Sequence, residues 1–231
     1  MCYNEVMQIR KDPLENGYVY HIFSRSIAKY IIFNNDKEYS RFLNTMILYH
    51  YSNFIHKYCK FKLLPSKLKN KIVSGLIKDN NSCVEIIAYC LMPTHIHLVL
   101  KQIQDNGISI YMSKILNSYA RFFNTAHKRS GALWSGRFKN VLIGTDEQLL
   151  HLTRYIHLNP TSIGLAENPE DWHYSSYLEY INKISSKEKI CKYQKLIDIP
   201  SVVYNNFVND RKDYQKEITK IKSILIENYT G

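Results

Sequence analysis

The sequence predicts an α+β fold: a ferredoxin-like (split βαβ) antiparallel sheet with helices on one face and a helical C-terminal appendage. Three observations carry this prediction. Four short segments are rich in β-branched and aromatic residues, longer segments with helical periodicity separate them, and the resulting order is β-α-β-β-α-β-α. The chain of 231 residues with 45% hydrophobic content is long enough to bury a core of its own.

The four strands are predicted at the alternating or apolar segments 17–24, 84–92, 95–102 and 138–143. Asn35 or Asp36 is expected to cap a first helix that ends near Tyr51. The stretch at 53–82 is polar and rich in lysine, and we interpret it as an inserted helical segment. A turn at residues 93–94 joins the second and third strands, which are therefore antiparallel neighbours.

Two further helices complete the pattern. One is predicted at residues 109–127, and the next begins at Thr145, which caps it and is followed by two acids that suit a helix N-terminus. Pro160 is expected to end that helix. The chain then becomes polar and rich in lysine, so we divide it into a domain at 1–180 and a basic helical appendage at 181–231.

The balance of charge favours a polyanionic partner. Thirty-one basic against 20 acidic residues give a net charge of +11 and a pI near 9.3. Two blocks contain no acid: residues 53–78 carry seven lysines, and residues 106–145 carry six basic residues interleaved with aromatic ones. A run of like charge is often only a solvated surface, and that interpretation stays open for the first block. Cations beside rings that can stack on bases suit a single nucleic-acid strand, which favours the second block.

Several classes of protein are not indicated by the sequence. No stretch approaches the ~20 consecutive apolar residues of a membrane span, the N-terminal residues lack the features of a signal peptide, and no GxxxxGK[ST] motif is present. Five cysteines are scattered without a CxxC pair, which is typical of reduced thiols. We therefore expect a cytoplasmic protein with no membrane partner and no nucleotide cofactor, either a monomer or a homodimer.

The sharpest local feature is a pair of histidines in the predicted third strand. Because side chains alternate along a strand, His95 and His97 lie on one face while Ile96 lies on the other. Two imidazoles on a rigid strand can chelate a divalent ion, and we expect both to face solvent. An incidental pair of surface histidines is the alternative, but the apolar strand that precedes them makes this strand central and favours the metal interpretation.

A second feature lies in the helix after the fourth strand. Tyr155 and Asn159 lie one helical turn apart, on the flank of the predicted buried stripe. A tyrosine hydroxyl has a pKa of about 10 and needs activation to act as a nucleophile. An amide oxygen one turn away is a reasonable third ligand for an ion held by the two histidines, and such an ion would polarise a phosphate beside the phenol. With 19 tyrosines in the chain, position alone does not select Tyr155.

Four blocks of sequence occur in order: YCLMPTHIHLVL, LWSGRFKNVLI, RYIHLNPTSIGL and DWHYSSY. Together they resemble the REP-associated tyrosine transposases and their single-strand transposase relatives, of the HUH endonuclease class, over about 17–52 and 84–180. The resemblance implies that His95 and His97 bind Mg²⁺ or Mn²⁺. It also implies that Tyr155 is the nucleophile and that Asn159 completes the metal site. The expected DNA contacts, including one that we add from the basic block, are Arg121, Trp134, Arg137, Phe138 and Lys139.

The activity implied by the resemblance is metal-dependent transesterification on single-stranded DNA. Tyr155 would attack a phosphodiester to give a 5′-phosphotyrosine link and a free 3′-hydroxyl, which can reverse the step. Strands would then be cleaved and rejoined without a nucleotide cofactor. The expected DNA is a palindromic repeat folded as a hairpin.

Alternatives stay open. A ferredoxin-like sheet with aromatic and basic residues also describes a non-catalytic RRM-like nucleic-acid-binding module, and a metal hydrolase could use the same histidines to activate water. Tyr119 is a rival nucleophile in the basic block, but it has Phe123 rather than an amide at i+4. Two features depart from the family: Thr94 stands where asparagine is usual, and the segment at 53–82 is longer than expected.

Overall fold

The computed structural model describes residues 12–186, 188–215 and 217. A four-stranded antiparallel sheet has the order β2-β3-β1-β4. The strands are β1 (Val19–Arg25), β2 (Val84–Met92), β3 (His95–Gln102) and β4 (Lys139–Ile143). The helices are α1 (Asp36–Tyr49), α2 (Tyr58–Lys62), α3 (Ser66–Asp79), α4 (Gly107–Ala126), α5 (Asp146–Ser162), α6 (Tyr177–Tyr180) and α7 (Ser201–Asn209). Because β3 lies between β1 and β2 and is antiparallel to both, the predicted split βαβ architecture is confirmed.

The first face of the sheet is apolar. On β3, Ile96, Leu98 and Leu100 are fully buried and point to the same side. Gln102 follows them on that side, and its Oε1 accepts a hydrogen bond from the Ile108 amide at the start of α4 (3.2 Å). Helix α1 packs against α4. These two helices therefore cover the apolar face and form the main core with it.

The second face carries His95 and His97, and α5 lies against it, in contact with β2. The prediction of helices on one face thus needs a correction for α5. Its physical reason is the apolar stripe of α5, where Leu149 and Ile156 are buried and need a surface to pack on. With the first face already covered, that surface is the histidine side of the sheet.

The predicted helix starts are confirmed by their caps. Asn35 accepts a hydrogen bond from the Glu38 amide (3.2 Å), and Thr145 accepts one from the Gln148 amide (3.1 Å). The prediction that Pro160 ends its helix is wrong, because α5 continues to Ser162. Proline removes only one amide donor, and the hydroxyls of the last two residues donate to backbone carbonyls one turn back, which holds the final turn together.

The lysine-rich insertion is helical, as predicted, and forms α2 and α3. A few buried side chains attach it to the domain, and the amide of Tyr58 donates to the hydroxyl of Tyr49 (3.0 Å). Ser52, which directly precedes the insertion, donates a hydrogen bond to Gln104, which follows β3 (2.5 Å). The insertion therefore lies at the end of the sheet where β3 ends and β2 begins. His95 begins β3, roughly 23 Å away at ~3.3 Å per residue. The insertion is therefore remote from the histidine pair.

The division of the chain near residue 180 stays a prediction, and the described residues after it pack on the domain. Tyr204 of α7 is fully buried, and α7 contacts α5. The four described cysteines are unpaired, and no described helix has the length and apolarity of a membrane span. Two parts of the chain lie outside the described residues. They are residues 1–11, where no signal peptide is predicted, and the part of the predicted appendage after residue 215, except residue 217.

A buried histidine joins α5 to α6 and α7. His157 is fully buried; its Nδ1 bonds the Tyr204 hydroxyl (2.7 Å) and its Nε2 bonds the Ser176 hydroxyl (2.8 Å). Burial lowers the pKa of His157 from 6.5 to about 3. The packing of the C-terminal residues on the domain therefore depends on a neutral imidazole.

We expect the stability of the fold to decrease as the pH drops below 6.5, the ordinary pKa of histidine. The unfolded chain takes up a proton there, whereas folded His157 does so only near pH 3. This residue alone should lower the unfolding free energy by about 2 kcal/mol at pH ~5. The His157→Gln variant should be less stable at neutral pH by about 1–3 kcal/mol and should decline less with acid. Urea unfolding of both proteins at two pH values measures this, and equal declines would contradict it.

Candidate active site

The two histidines of β3 lie together on the second face, as predicted. Their ring centroids are 5.0 Å apart, with the rings nearly perpendicular. The expectation that both face solvent is wrong for His97, which is only 6% exposed. The cause is α5, which covers the strand at this point.

Each imidazole has one nitrogen held by a neighbour. His97 Nδ1 lies 2.9 Å from His21 Nε2, and His95 Nδ1 lies 3.0 Å from the hydroxyl of Thr94. Such bonds fix the tautomer and the orientation of a ring and leave its other nitrogen for a ligand. Thr94, which departs from the usual asparagine, thus still supplies a hydrogen-bonding side chain next to His95.

His21 was missed by the sequence analysis. It lies on β1 opposite Val99, and its ring stacks on that of His97 with a centroid distance of 5.2 Å. The alternation of β1 does place His21 on one face together with Phe23. Only the register between β1 and β3, however, shows which face that is and which residues it opposes.

Burial keeps these histidines neutral. It lowers the pKa of His21 to about 4, and it lowers the pKa of His95 to about 4 with a further contribution from the Arg25 charge. The pKa of His97 is well below its usual value, first through burial and then because a charge on His97 would be disfavoured beside His95, His21 and Arg25. The neutral imidazole is the form that can donate a lone pair to a cation.

Helix α5 brings the candidate nucleophile to this pair. The ring centroid of Tyr155 lies 6.1 Å from that of His97 with the rings nearly perpendicular, and the tyrosine is 44% exposed. Asn159, one turn later, is 7% exposed, and its Nδ2 has no hydrogen-bond partner among the described residues. The helical spacing predicted from the sequence thus places a phenol and an amide beside the histidines.

A pocket of about 570 Å³ contains the phenol, the amide and the first histidine. Its lining residues are Met92, His95, His151, Arg154, Tyr155, Asn159, Ser162, Ile163, Arg211, Tyr214 and Gln215. Arg154 and the three residues from the C-terminal segment were not identified from the sequence. Arg154 carries no distinguishing pattern, and the others lie in a segment interpreted only as an appendage.

Tyr119, the rival nucleophile, lies elsewhere. It lies on α4 and is fully buried on the side that packs against α1, and its hydroxyl donates to the carbonyl of Ile32 (2.5 Å). Burial raises the pKa of the Tyr119 hydroxyl far above its usual value. A hydroxyl in this position has no access to a phosphodiester, so its role is packing.

Four of the five predicted DNA contacts line one groove of about 880 Å³ between α4 and the loop at 131–138. Arg121 and Arg137 are exposed there. Trp134 is partly buried and donates to the Leu116 carbonyl (3.1 Å), and Phe138 is only 9% exposed. The arginines are therefore accessible to a phosphate backbone, whereas both rings contribute mainly to packing and could stack on a base only if the loop moved.

The end of β1 links the loop of the groove to the first histidine of the pocket. The amide of Ser135 donates to the Arg25 carbonyl (2.9 Å), and Arg25 pairs with His95 in the sheet. Lys139, the fifth predicted contact, is exposed and pairs with Phe23, which in turn pairs with His97. Directly paired residues share a face, so Lys139 lies on the histidine side, two strands from His97.

Comparisons with known proteins show similarity to transposases. A family model described as IS200-like transposase matches residues 49–159. A REP-associated tyrosine transposase of Haemophilus influenzae is 30% identical over 103 residues, which are 40% of this chain and 58% of that protein. The chain thus spans less than two thirds of the length of this relative.

A solved structure of a REP-associated tyrosine transposase bound to a REP hairpin has the same fold. It superimposes with a TM-score of 0.53 at 16% identity, over 81% of this chain and 93% of that one. The residues matched by the family model include both histidines of β3, Tyr155 and Asn159. Over residues 49–159 the chain is therefore similar to IS200-like transposases.

Proposed function

We propose that this chain is a DNA transposase that cleaves and rejoins single-stranded DNA with Tyr155 as its nucleophile. The observation that carries the proposal is the position of the Tyr155 phenol, 6.1 Å from the His97 ring between centroids, in a pocket shared with His95 and Asn159. A binding module has no need for a half-exposed tyrosine beside two neutral histidines, one of which is buried. A hydrolase that activates water would not need Tyr155 at all.

The residues present fit a divalent metal ion. His95 and His97 each have one ring nitrogen held by a neighbour, so the other nitrogen is available. The Asn159 amide has an unpaired buried atom, and a half-turn of the amide would place its oxygen there. Two imidazoles and one amide oxygen suit Mn²⁺ and accept Mg²⁺. Such an ion, when bound, polarises the scissile phosphate and offsets its developing negative charge.

The chain's own residues would carry the covalent step. The Tyr155 oxygen attacks the phosphorus, forms the new phosphotyrosine bond and loses its proton. The bond to the 3′-oxygen breaks, and that oxygen gains a proton, so that no proton is consumed overall. The reverse attack by a 3′-hydroxyl rejoins a strand and releases the tyrosine. His21 and Thr94 would hold the two β3 histidines in orientation throughout, as supporting bonds do at other metal sites.

The proposed substrate is a hairpin-forming repeat with a single-stranded flank. The related solved structure is bound to a REP hairpin, and the net charge of +11 suits DNA. The loop that lines the groove with Arg121 and Arg137 is bonded to the end of β1, which pairs with His95 of the pocket. A strand that follows this path brings a phosphodiester to Tyr155.

We expect the Tyr155→Phe variant to bind DNA but to form no covalent adduct, because only the attacking oxygen is lost. A denaturing gel with labelled single-stranded DNA and Mn²⁺ measures the adduct. Tyr119→Phe is the matched control: it also loses one hydroxyl, one that bonds the Ile32 carbonyl, so it should keep the adduct and lose about 1 kcal/mol of stability. Cleavage by Tyr155→Phe would instead favour the hydrolase.

We expect Mn²⁺ affinity to stay nearly constant from neutral pH to about pH 5. Because the folded pKa of His95 is about 4, protons should not compete with the metal at the usual histidine value of 6.5. In His21→Phe an aromatic ring remains but the hydrogen bond to His97 is lost, and the affinity for Mn²⁺ should decrease about 10–100-fold. Calorimetry measures both effects. A steep loss of affinity near pH 6.5, or full affinity in His21→Phe, would contradict this.

We expect the salt dependence of DNA binding to map onto the groove. If Arg121 and Arg137 each neutralise a phosphate, removing either charge should reduce the slope of log K against log salt by about 0.7. Lys62→Gln, in the remote insertion, is the matched loss of one exposed charge and should leave the slope unchanged. A changed slope in Lys62→Gln together with silent arginines would place the DNA on the insertion. Fluorescence anisotropy at several salt concentrations measures the slopes.

A further inference from the structure

The wall of the catalytic pocket opposite β3 comes from the C-terminal segment. Arg211, Tyr214 and Gln215 line it. The side-chain amide of Gln215 donates to the Tyr155 carbonyl (3.1 Å), and Arg154 donates to the Phe207 carbonyl (3.3 Å). The segment is thus bonded to the very turn of α5 that carries the candidate nucleophile. It lies beyond the residues matched by the family model, which end at 159.

Two guanidinium groups share this pocket. The Arg154 guanidinium stacks on the Phe207 ring at 4.0 Å, and that of Arg211 lies 5.4 Å from the Tyr214 ring centroid. Burial lowers the pKa of Arg154, and the Arg211 charge is the next largest cause, so the two cations act on each other. Neither forms an ion pair with a carboxylate in the part of the chain that the structure describes.

Two like charges held together in a cavity repel each other unless an anion lies between them. A ring beneath a guanidinium supports its face and leaves its edge of N–H donors for partners. Arg154 uses two of its five donors on the Phe207 carbonyl and on His151 Nδ1 (2.7 Å), and the remaining donors are those that a planar or tetrahedral oxyanion can use. The anion that reaches a pocket beside Tyr155 in a DNA-processing protein is a backbone phosphate. Because Arg154 precedes Tyr155 on α5, its side chain is displaced by ~100° around the helix from the phenol. An anion bound at Arg154 would therefore lie beside the phosphate at Tyr155 rather than on it.

We propose that Arg154 and Arg211 form a binding subsite for the DNA phosphate adjacent to the cleaved bond, which makes the C-terminal segment part of the catalytic pocket. This proposal rests on the proposed function for the identity of the anion. The subsite itself depends only on the two arginines and the pocket that they line.

The first test uses inorganic phosphate and the whole chain, and it needs no cleavable DNA. Titration followed by the side-chain Nε–H signals of arginine should shift the Arg154 and Arg211 signals together, with a Kd on the order of 1 mM. Arg211→Gln should abolish the shift of Arg154. Lys62→Gln, which removes one exposed charge far from the pocket, should leave both shifts intact. Unmoved signals in the unmodified protein, or a full Arg154 shift in Arg211→Gln, would overturn the proposal.

The second test locates the phosphate. In a hairpin oligonucleotide with a single-stranded flank, each flank linkage in turn is replaced by an uncharged methylphosphonate. One replacement next to the attacked bond should weaken binding to the unmodified protein about tenfold. Arg211→Gln should bind the unmodified DNA about tenfold more weakly and should lose nothing further from that replacement, whereas Lys62→Gln should stay sensitive to it. Equal sensitivity in Arg211→Gln and the unmodified protein would refute the subsite.

The two proposals fail separately. Exposed Arg211 has no packing role that would make Arg211→Gln unfold, and its circular dichroism spectrum should match that of the unmodified protein. The covalent adduct with unmodified DNA reports only on Tyr155. If no adduct forms but Arg211→Gln still removes the sensitivity to the methylphosphonate, Tyr155 is not the nucleophile and the subsite stands. If the adduct forms but Arg211→Gln keeps that sensitivity, the subsite is refuted and Tyr155 stands as the nucleophile.

Discussion

The pairing of β3 with strands on both sides is the constraint on which the rest of the molecule depends. A strand with neighbours on both edges has all its backbone donors and acceptors in the sheet, so its side chains divide strictly between two faces. On one face Ile96, Leu98 and Leu100 are sealed beneath α4. On the other, His95 and His97 stand at the same end of the strand. A slip of one residue would place imidazoles in the core and leucines in the pocket.

The same pairing also determines the electrostatics of the pocket. Pairing with β1 brings His21 beside His97, and coverage by α5 removes water from His97. Desolvation disfavours the charged form of an imidazole, and each ring adds to the cost of charging the next. The result is a row of neutral rings inside a protein of net charge +11. Cations on the surface can attract a polyanion, while the histidines keep the lone pairs that a metal requires.

The sequence was sufficient for features set by local chemistry. The alternation of β3, the caps at Asn35 and Thr145, and the spacing of Tyr155 and Asn159 each follow from rules within a few residues. Features set by distant pairing were not accessible in this way. The role of His21 needs the register of β1, and the placement of α5 on the second face needs the knowledge that α1 and α4 cover the first.

Burial was the other quantity that the sequence could not supply. Trp134 and Phe138 have the composition of a stacking surface, but both lie against the core, because the loop that carries them folds back over α4. Tyr119 has the chemistry of a nucleophile but is fully buried between α4, which carries it, and α1. Aromatic residues in a basic block are compatible with packing and with nucleic-acid binding alike, and only the accessible area separates the two.

Helix α5 connects the packed C-terminal residues to the pocket, because residues two positions apart on a helix point to nearly opposite sides. Tyr155 faces the pocket, and His157 faces inward, where it bonds Tyr204 of α7. Helix α7 leads directly into the segment that carries Arg211 to the pocket. The neutral, buried imidazole of His157 therefore holds in place the element that completes the wall beside Tyr155. Packing on one side of α5 and chemistry on the other are thus parts of one arrangement, and a C-terminal segment first interpreted as an appendage becomes a boundary of the site.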